Sequence, residues 1–339
     1  MTGLELAALG AALLVASVLL FTVVLLVWWV DRYDREPLPL LFGVLFWGMV
    51  IAPGLVGFAA SLEVFQEYLS VMNPALDSLG VFGAAALEEG AKGLGILLVI
   101  LFSRHFDNPT DGLVYGTAVG LGFAITENLF HGLGASILPQ TVMLKTIIGR
   151  TLYTAGVHAL ASSVFGAGLG LARLSGRAGA RWLWSVTGFV LAVLLHGGWN
   201  QVVITLGLGV SGGYHPWLIL LPLYLLYAGT FGLLLHAEHR ILIRQLADEV
   251  RLGVLPGWTV TVIPYYRRRI RSGWWPSRPE RAVISRLLTK LAFRKHALAS
   301  AGTSGSSLDG LELVSLRKHI QSILRPVEDG PDSHDHFDD

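Results

Sequence analysis

The feature that most constrains this chain is a set of three charged residues inside an apolar segment from about Gly80 to Phe102. Glu88, Glu89 and Lys92 lie near its centre, where each charge costs a membrane-spanning helix roughly 2.5 to 3.5 kcal/mol. Lys92 is one helical turn from both glutamates, so one ion pair can form within the helix. The other carboxylate then needs a proton or polar groups from neighbouring helices.

The composition places the chain among polytopic membrane proteins. Of its 339 residues, 53% are hydrophobic and only 14% are charged, which is typical of that class. Cysteine is absent. This absence excludes disulfides, iron–sulfur clusters, thiolate zinc sites and a cysteine nucleophile.

Seven apolar segments are long enough to cross a bilayer. They run from about residue 6 to 30, 38 to 60, 80 to 102, 112 to 133, 151 to 171, 182 to 206 and 217 to 236. Pro53 predicts a kink in the second, and the apolar patch between residues 134 and 150 is too short to cross. We therefore expect an all-α, polytopic bundle of about seven transmembrane helices.

The basic residues predict how the chain is oriented in the cell membrane. With seven spans, one side carries only Lys145 and Arg150, and the other carries Arg32, Arg35, Arg104, Arg173, Arg177, Arg181 and the basic residues after His239. Lys and Arg are in excess on the cytoplasmic side of membrane proteins. We therefore expect a multi-pass protein with its N-terminus outside and its C-terminus in the cytoplasm.

The last hundred residues differ in character, so we expect a transmembrane bundle at residues 1–239 and a cytoplasmic tail at 240–339. The segment from Tyr265 to Trp275 mixes aromatic rings with arginines, which predicts contact with the anionic inner surface of the bilayer. It is short and tethered to the membrane, so we expect no nucleic-acid partner. Two amphipathic helices are predicted at about 281–298 and 311–324, and the acidic end at 328–339 is predicted to be disordered.

Polar side chains recur inside three more of the predicted spans. They are Glu127 and Asn128 in the fourth span, His158 in the fifth, and His196 and Asn200 in the sixth. A helix rises about 1.5 Å per residue, so depth can be estimated from position in the span. Five polar residues lie roughly 9 to 15 Å below the outer surface on this estimate: Glu88, Glu127, His158, His196 and Asn200. The sequence therefore predicts one polar layer in the outer half of the bilayer.

Small residues at four-residue spacing align with these polar groups and allow close helix packing in lipid. The stripes are Gly80-Ala84-Glu88-Lys92, Gly112-Gly116-Gly120-Ala124-Asn128, His158-Ser162-Gly166-Gly170 and Gly188-Ala192-His196-Asn200. We expect these four helices to form the bundle core, with spans one, two and seven outside it.

Ionisable groups are too costly in a membrane to serve only as contacts between helices. A desolvated carboxylate can act as a general base, while a histidine or Asn200 holds the water or an oxyanion. Alternatively, His158, His196 and Glu127 could bind zinc. The chain has no His-Glu-x-x-His motif, so the spacing alone leaves the metal open.

Other polar groups have simpler interpretations. Asn128, and His131 near the outer rim, can be explained by hydrogen bonds between helices. Lys92 fits an ion pair with either glutamate equally well as a role in tuning a carboxylate.

Five motifs in order resemble the PrsW family of intramembrane proteases, which is related to the CAAX-prenyl endopeptidases and bacteriocin-processing enzymes. They are Asp31-Arg-Tyr-Asp-Arg-Glu-Pro37, Glu88-Glu89-x-x-Lys92, Asp111-Gly-Leu-Val-Tyr-Gly-x-x-x-Gly-x-Gly-Phe-Ala-x-x-Glu127-Asn128, Arg150-Thr followed by His158-Ala, and His196-Gly-Gly-Trp-Asn200. The resemblance covers about residues 31 to 200 and does not extend to the tail.

The resemblance implies hydrolysis of a peptide bond in or near the membrane. It implies a catalytic set of Glu88, Glu89, His158 and His196. From their place in the polar layer or beside it, we expect Lys92, Glu127, Asn128 and Asn200 to support that set. The implied partner is a single-span or membrane-anchored protein substrate, for example an anti-sigma factor cut from the external side.

Two other classes of function fit buried carboxylates and histidines. One is a proton- or ion-coupled transporter, although the chain lacks the internal repeat that many transporters show. The other is a catalytically silent scaffold that binds a membrane partner through its small-residue stripes.

Overall fold

The computed structural model describes residues 2–33, 35–62, 78–103, 105–175, 177–206, 216–271, 273–275, 277–301 and 307–328. These residues form helices and connecting turns without a strand, which confirms the all-α prediction. Contacts divide the chain into two compact units. The first comprises Met1–Asp31, Glu36–Arg173 and Arg177–Phe231, and the second comprises Arg32–Arg35, Leu174–Gly176 and Gly232–Asp339.

The first unit contains eight described helices and the beginning of a ninth. They are α1 (Gly3–Val30), α2 (Leu38–Phe46), α3 (Ala52–Ser61), α4 (Ser78–Phe102), α5 (Pro109–Ala135), α6 (Gln140–Gly149), α7 (Ala155–Leu174), α8 (Ala178–Leu206) and the start of α9 (Pro216–Arg251). A π-helical turn at Trp47–Ile51 joins α2 to α3, and another at Arg150–Thr154 joins α6 to α7.

The described helices include six candidate membrane crossings, one fewer than the seven predicted. Six described helical segments are long and apolar enough to cross a membrane: Gly3–Val30, Leu38–Ser61, Pro109–Ala135, Gln140–Leu174, Ala178–Leu206 and Pro216–Arg251. The 25-residue helix α4 has the length but contains the three central charges, so it is not among these six. The polytopic helical bundle is thus confirmed.

The boundary predicted for the fifth span is wrong. The helix begins at Gln140 and continues through the π-helical turn to Leu174. Its early turns are ordered because Met143 and Ile147 are buried against Leu9 of α1. The apolar patch that is too short to cross alone is therefore the beginning of a longer helix.

The irregularity expected at Pro53 is the π-helical turn that precedes it. Pro53 has no N–H to donate to the carbonyl of Met49, four residues earlier. The hydroxyl of Thr126 on α5 donates to that carbonyl instead. A side chain from a neighbouring helix thus compensates for the proline.

Helix α5 is the centre of the first unit, since every residue from Pro109 to Ala124 is buried. Its glycines contact the backbone of α7. A Cβ atom added at Gly112, Gly116 or Gly120 would lie 2.0, 2.3 or 2.4 Å from the carbonyl oxygens of Gly166, Ser162 and His158, respectively. Gly188 of α8 makes a similar approach to Gly168 of α7. The stripes therefore bring these three helices into direct contact, as predicted.

Two details of the packing prediction are wrong. The second span is not outside the core, because Gly48 contacts the carbonyl of Val119 and Gly122 contacts that of Leu45. On α4, glycines outside its stripe make room for rings: Gly93 lies against Phe165 and Gly95 against Trp47. The spacing of glycines on one helix does not show whether the neighbouring helix contacts them with its backbone or with an aromatic side chain.

The second unit contains the end of α9, α10 (Trp258–Val262), α11 (Tyr266–Ile270), α12 (Arg278–Ala301) and α13 (Ser307–Glu328). Its apolar core includes Leu242 and Leu246 of α9, Leu288 of α12 and Ile320 of α13. Both predicted amphipathic helices are present, and the basic-aromatic segment contains α11. Arg104 and the acidic residues 329–339 lie outside the described part of the chain.

Candidate active site

Glu89 is the most deeply enclosed carboxylate of the first unit. Its side chain is fully buried, and three side chains donate to it. Lys92 Nζ lies 2.8 Å and His196 Nδ1 2.9 Å from Oε1, while the hydroxyl of Ser162 lies 2.8 Å from Oε2. Because an ionised carboxylate only accepts hydrogen bonds, Nδ1 of His196 carries the proton and Nε2 carries a lone pair. Glu89 therefore sets the orientation and tautomer of His196.

Lys92 connects α4 to α7. Besides Glu89, its Nζ lies 2.9 Å from Nδ1 of His158 and 4.1 Å from the ring centre of Phe123. Its distance to Glu88 is longer, at 3.9 Å. A charged lysine only donates hydrogen bonds, so Nδ1 of His158 accepts from Nζ and the ring proton lies on Nε2, which faces Glu127. A metal ion held by Nε2 would replace that proton. Lys92 thus holds His158 in place from behind.

Glu88 and the two histidines face one another. One ligand atom from each of Glu88, His158 and His196 lies within 4.8 Å of the others. The two imidazole rings are edge to face with centres 4.6 Å apart, and Nε2 of His196 is 3.5 Å from Oε2 of Glu88. The glutamate side chain is 17% exposed, so this face is accessible whereas Glu89 is not.

Glu127 completes the group from α5. Its Oε2 lies 2.6 Å from Nε2 of His158, and its Oε1 lies 2.7 Å from Nη2 of Arg150 and 3.5 Å from Nε2 of His131. Arg150 begins the π-helical turn between α6 and α7. The structure thus brings together Glu88, Glu89, Lys92, Glu127, His158 and His196, as the sequence predicts.

One buried atom here, Oε2 of Glu88, has no hydrogen-bond partner within the described part of the chain, whereas Oε2 of Glu127 and Nε2 of His158 lie 2.6 Å apart. Buried polar atoms rarely remain unsatisfied, and such atoms often indicate an ion or water. Two imidazole nitrogens and a carboxylate oxygen form a common donor set for a catalytic metal. The residues therefore fit a divalent metal ion, with Glu88 as the third member of the cluster. Glu127, the carboxylate of the sequence-based hypothesis, contacts His158.

Two predicted supporting residues do not join this centre. The buried amide of Asn128 donates to the hydroxyl of Thr151, 3.1 Å away, so it links α5 to the π-helical turn. Asn200 lies one turn beyond His196 and is partly exposed. Within the described part of the chain, its side chain has no hydrogen bond to the charged cluster.

Ser162 and Arg150 are the contacts that the sequence reasoning missed. Ser162 follows His158 by one turn in its small-residue stripe, and that spacing could have identified it as a second donor from α7. Arg150 stands in one of the five motifs but eight residues before His158, a separation that predicts no particular contact on a regular helix.

A bundle of membrane-length helices that encloses a glutamate–histidine centre is the architecture expected of an intramembrane enzyme. The model of the PrsW family intramembrane metalloproteases matches residues 36–227, more than half of the chain. The chain therefore belongs to this family and is a peptidase. The match includes all residues of the charged cluster and ends before the second unit resumes at Gly232.

Curated relatives agree with the family match. The chain is 28% identical over 205 residues to Protease PrsW of Bacillus subtilis (strain 168), covering 60% of this chain and 84% of that protein. It is 28% identical over 199 residues to Protease PrsW of Geobacillus kaustophilus (57% and 79% coverage) and 29% identical over 196 residues to that of Shouchella clausii (56% and 82%). No solved structure shows a significant match.

Proposed function

We propose that this protein hydrolyses a peptide bond of a single-span or membrane-anchored protein, such as an anti-sigma factor, in the outer half of the bilayer. The observation that carries the proposal is the convergence of Glu88, His158 and His196 within 4.8 Å. The distribution of basic residues supports an external N-terminus and a cytoplasmic C-terminus. We assign the activity to residues 1–239 and regard 240–339 as a cytoplasmic tail.

Glu88, His158 and His196 would hold the metal ion, and their ligand types suit zinc. When bound, such an ion makes a water molecule easier to deprotonate and polarises a carbonyl group. Glu89 and Lys92 orient the two histidines from the buried side. Their contacts explain why the motif needs two adjacent glutamates, one accessible and one enclosed.

Glu127 then serves as the general base. Arg150 engages its Oε1 at 2.7 Å, and its Oε2 lies 2.6 Å from Nε2 of His158. When that nitrogen holds a metal ion instead of a proton, Oε2 is able to accept one. In the reaction Oε2 takes a proton from the attacking water as the new carbon–oxygen bond forms. It returns this proton to the leaving nitrogen as the carbon–nitrogen bond breaks. The sequence suggested Glu127 as a ligand and left the base open between carboxylates, and the geometry favours Glu88 as the ligand.

Metal content and cleavage measured on the same purified samples test this assignment. We expect wild type and Glu127→Gln to retain about one metal ion per chain, and Glu88→Gln and His196→Ala to lose it. All three variants should cut a single-span reporter carrying an anti-sigma-factor domain at least 100-fold more slowly, since general-base catalysis contributes about 10²- to 10⁴-fold. Glu280→Gln removes an exposed carboxylate of α12 and should change neither quantity.

The opposite pattern would assign the roles in reverse. Loss of metal in Glu127→Gln together with its retention in Glu88→Gln would make Glu88 the base. Cleavage at wild-type rates by all three variants would remove the proposed centre altogether. Family membership already favours a peptidase over the transporter and the silent scaffold.

A further inference from the structure

A cavity lies in the first unit on the helices that carry the catalytic centre. It has a volume of about 420 Å³ and lies between α4, α7 and α8. Its lining is almost entirely apolar and includes Leu97, Phe165, Leu169 and Phe189. Phe165 and Phe189 contact edge to face, with ring centres 5.3 Å apart. The volume falls within the range of ordinary ligand sites.

The cavity is separated from the catalytic residues along all three helices. Phe165 follows His158 by seven residues on α7, and Phe189 precedes His196 by seven on α8. At a rise of about 1.5 Å per residue, both lie roughly 10 Å from the catalytic layer. Leu97 is displaced by a similar distance from Glu89 on α4. The cavity is therefore a separate site, nearer the end of the bundle where α8 begins.

The polar end of the cavity indicates its ligand. Arg181 and Trp182, in the first turns of α8, line it, and both side chains are exposed. Of the described residues that line the cavity, only Arg181 is charged. A guanidinium group has five donors and binds phosphate well, and tryptophan is enriched at the membrane interface. An apolar cleft with arginine and tryptophan at one end matches a phospholipid, in which apolar acyl chains are joined to a phosphate headgroup.

We propose that this cavity is a binding site for an anionic phospholipid of the cytoplasmic leaflet, with an acyl chain against Phe165 and Phe189 and the headgroup phosphate on Arg181. The leaflet assignment rests on the orientation in the proposed function. A substrate helix fits less well, because its cytoplasmic flank is enriched in Lys and Arg and would be repelled by Arg181. Basic pockets between transmembrane helices on this side bind anionic headgroups.

Native mass spectrometry of the purified full-length protein, titrated with phosphatidylglycerol or phosphatidylethanolamine, tests the site. We expect one phosphatidylglycerol to bind at least tenfold more tightly than phosphatidylethanolamine. Arg181→Glu and the cavity-filling Val186→Trp should each weaken binding at least fivefold. Arg177→Glu, four residues earlier, and Val190→Trp, one turn further along α8 and outside the lining, are matched controls that should bind like wild type.

Equal retention of the two lipids, or unchanged binding in both Arg181→Glu and Val186→Trp, would overturn the proposal. A photo-crosslinking residue at position 186, in vesicles of both lipids with the reporter substrate, separates the two occupants: a phosphatidylglycerol adduct supports the site, and a substrate adduct alone refutes it. The Glu88→Gln variant should bind the lipid normally. Failure of the proposed proteolysis would therefore leave the lipid result intact, and the reverse also holds.

Discussion

At the scale of single residues, the cost of buried charge determines how the centre is built. Glu89 and Lys92 are both fully buried and lie 2.8 Å apart, and each has further partners on α7 or α8. Removing one member of a buried ion pair is far more costly than removing both, because the remaining charge is left unpaired. The pair therefore ties three helices together while it orients both histidines.

Lys92→Met should accordingly destabilise the protein by about 3 to 5 kcal/mol, the typical cost of breaking a buried pair. The double variant Glu89→Gln/Lys92→Met should recover a large part of this loss. Reversible unfolding in mixed detergent micelles measures both values. A single variant as stable as wild type would show that Lys92 does not carry its charge in the folded protein.

Arg150 should affect the cleavage rate by positioning Glu127 rather than by stabilising the fold. Arg150→Met frees Oε1 of Glu127, so we expect kcat to fall about tenfold or more with little change in KM. Arg150→Lys keeps one charged donor and should retain more activity than the methionine variant. Lys145→Met, an exposed lysine on α6, is the control. A change in KM alone would indicate substrate binding by Arg150 instead of positioning.

At the scale of helices, the site depends on backbone contact and on irregular turns. The glycines of α5 let α7 approach until carbonyl oxygens fill the space of missing side chains. The π-helical turn at Arg150–Thr154 inserts one residue, which rotates the following residues by about 100° relative to a regular helix. These two features set the position of His158 relative to α5 and to Arg150.

Gly120→Ala tests this contact, because its Cβ would lie 2.4 Å from the carbonyl oxygen of His158. Overpacking of this kind typically costs about 1 to 3 kcal/mol, and here it also displaces a site residue. We expect a lower midpoint of thermal unfolding and a loss of cleavage. Gly134→Ala on the same helix meets nothing within 4 Å and should behave like wild type. Equal behaviour of the two variants would argue against the close packing.

At the scale of the whole molecule, the chain forms two units with different chemistry. The first unit buries Glu89 and Lys92 in its centre, whereas the second unit has an apolar core and a separate buried carboxylate. Glu249 of α9 lies 2.8 Å from Lys295 of α12 and is contacted by Arg317 of α13 through two nitrogens, at 2.7 and 2.8 Å. The hydrogen bond to Glu249 raises the pKa of Arg317, as expected for a cation that gains a carboxylate partner.

This ion pair should hold α13 against the second unit. Arg317→Met leaves Glu249 with one cation, and we expect faster hydrogen exchange across Ser307–Glu328 with little change in the membrane helices. Lys318→Met removes an exposed neighbouring charge and should leave exchange unchanged. Protection of α13 that survives Arg317→Met would show that apolar contacts alone hold the helix.

The sequence by itself determined the class of molecule and the members of its centre. Charges at Glu88, Glu89 and Lys92 are too costly in an apolar helix to remain without partners, so Glu127, His158 and His196 could be identified as members of one centre. Glycine spacing likewise predicted the contact of α5 with α7. These inferences succeed because the free-energy cost of placing a charge in the membrane and the periodicity of a helix are both local properties of the chain.

Only the tertiary structure decided how these members lie relative to one another. It shows that Glu89 is enclosed and Glu88 accessible, that Glu88 lies with both histidines while Glu127 contacts His158, and that Asn128 bonds to Thr151. It also shows that the second span reaches the core and that the fifth begins at Gln140. Each of these depends on the rotation of one helix against another and on two π-helical turns, and no single helix carries that information in its periodicity.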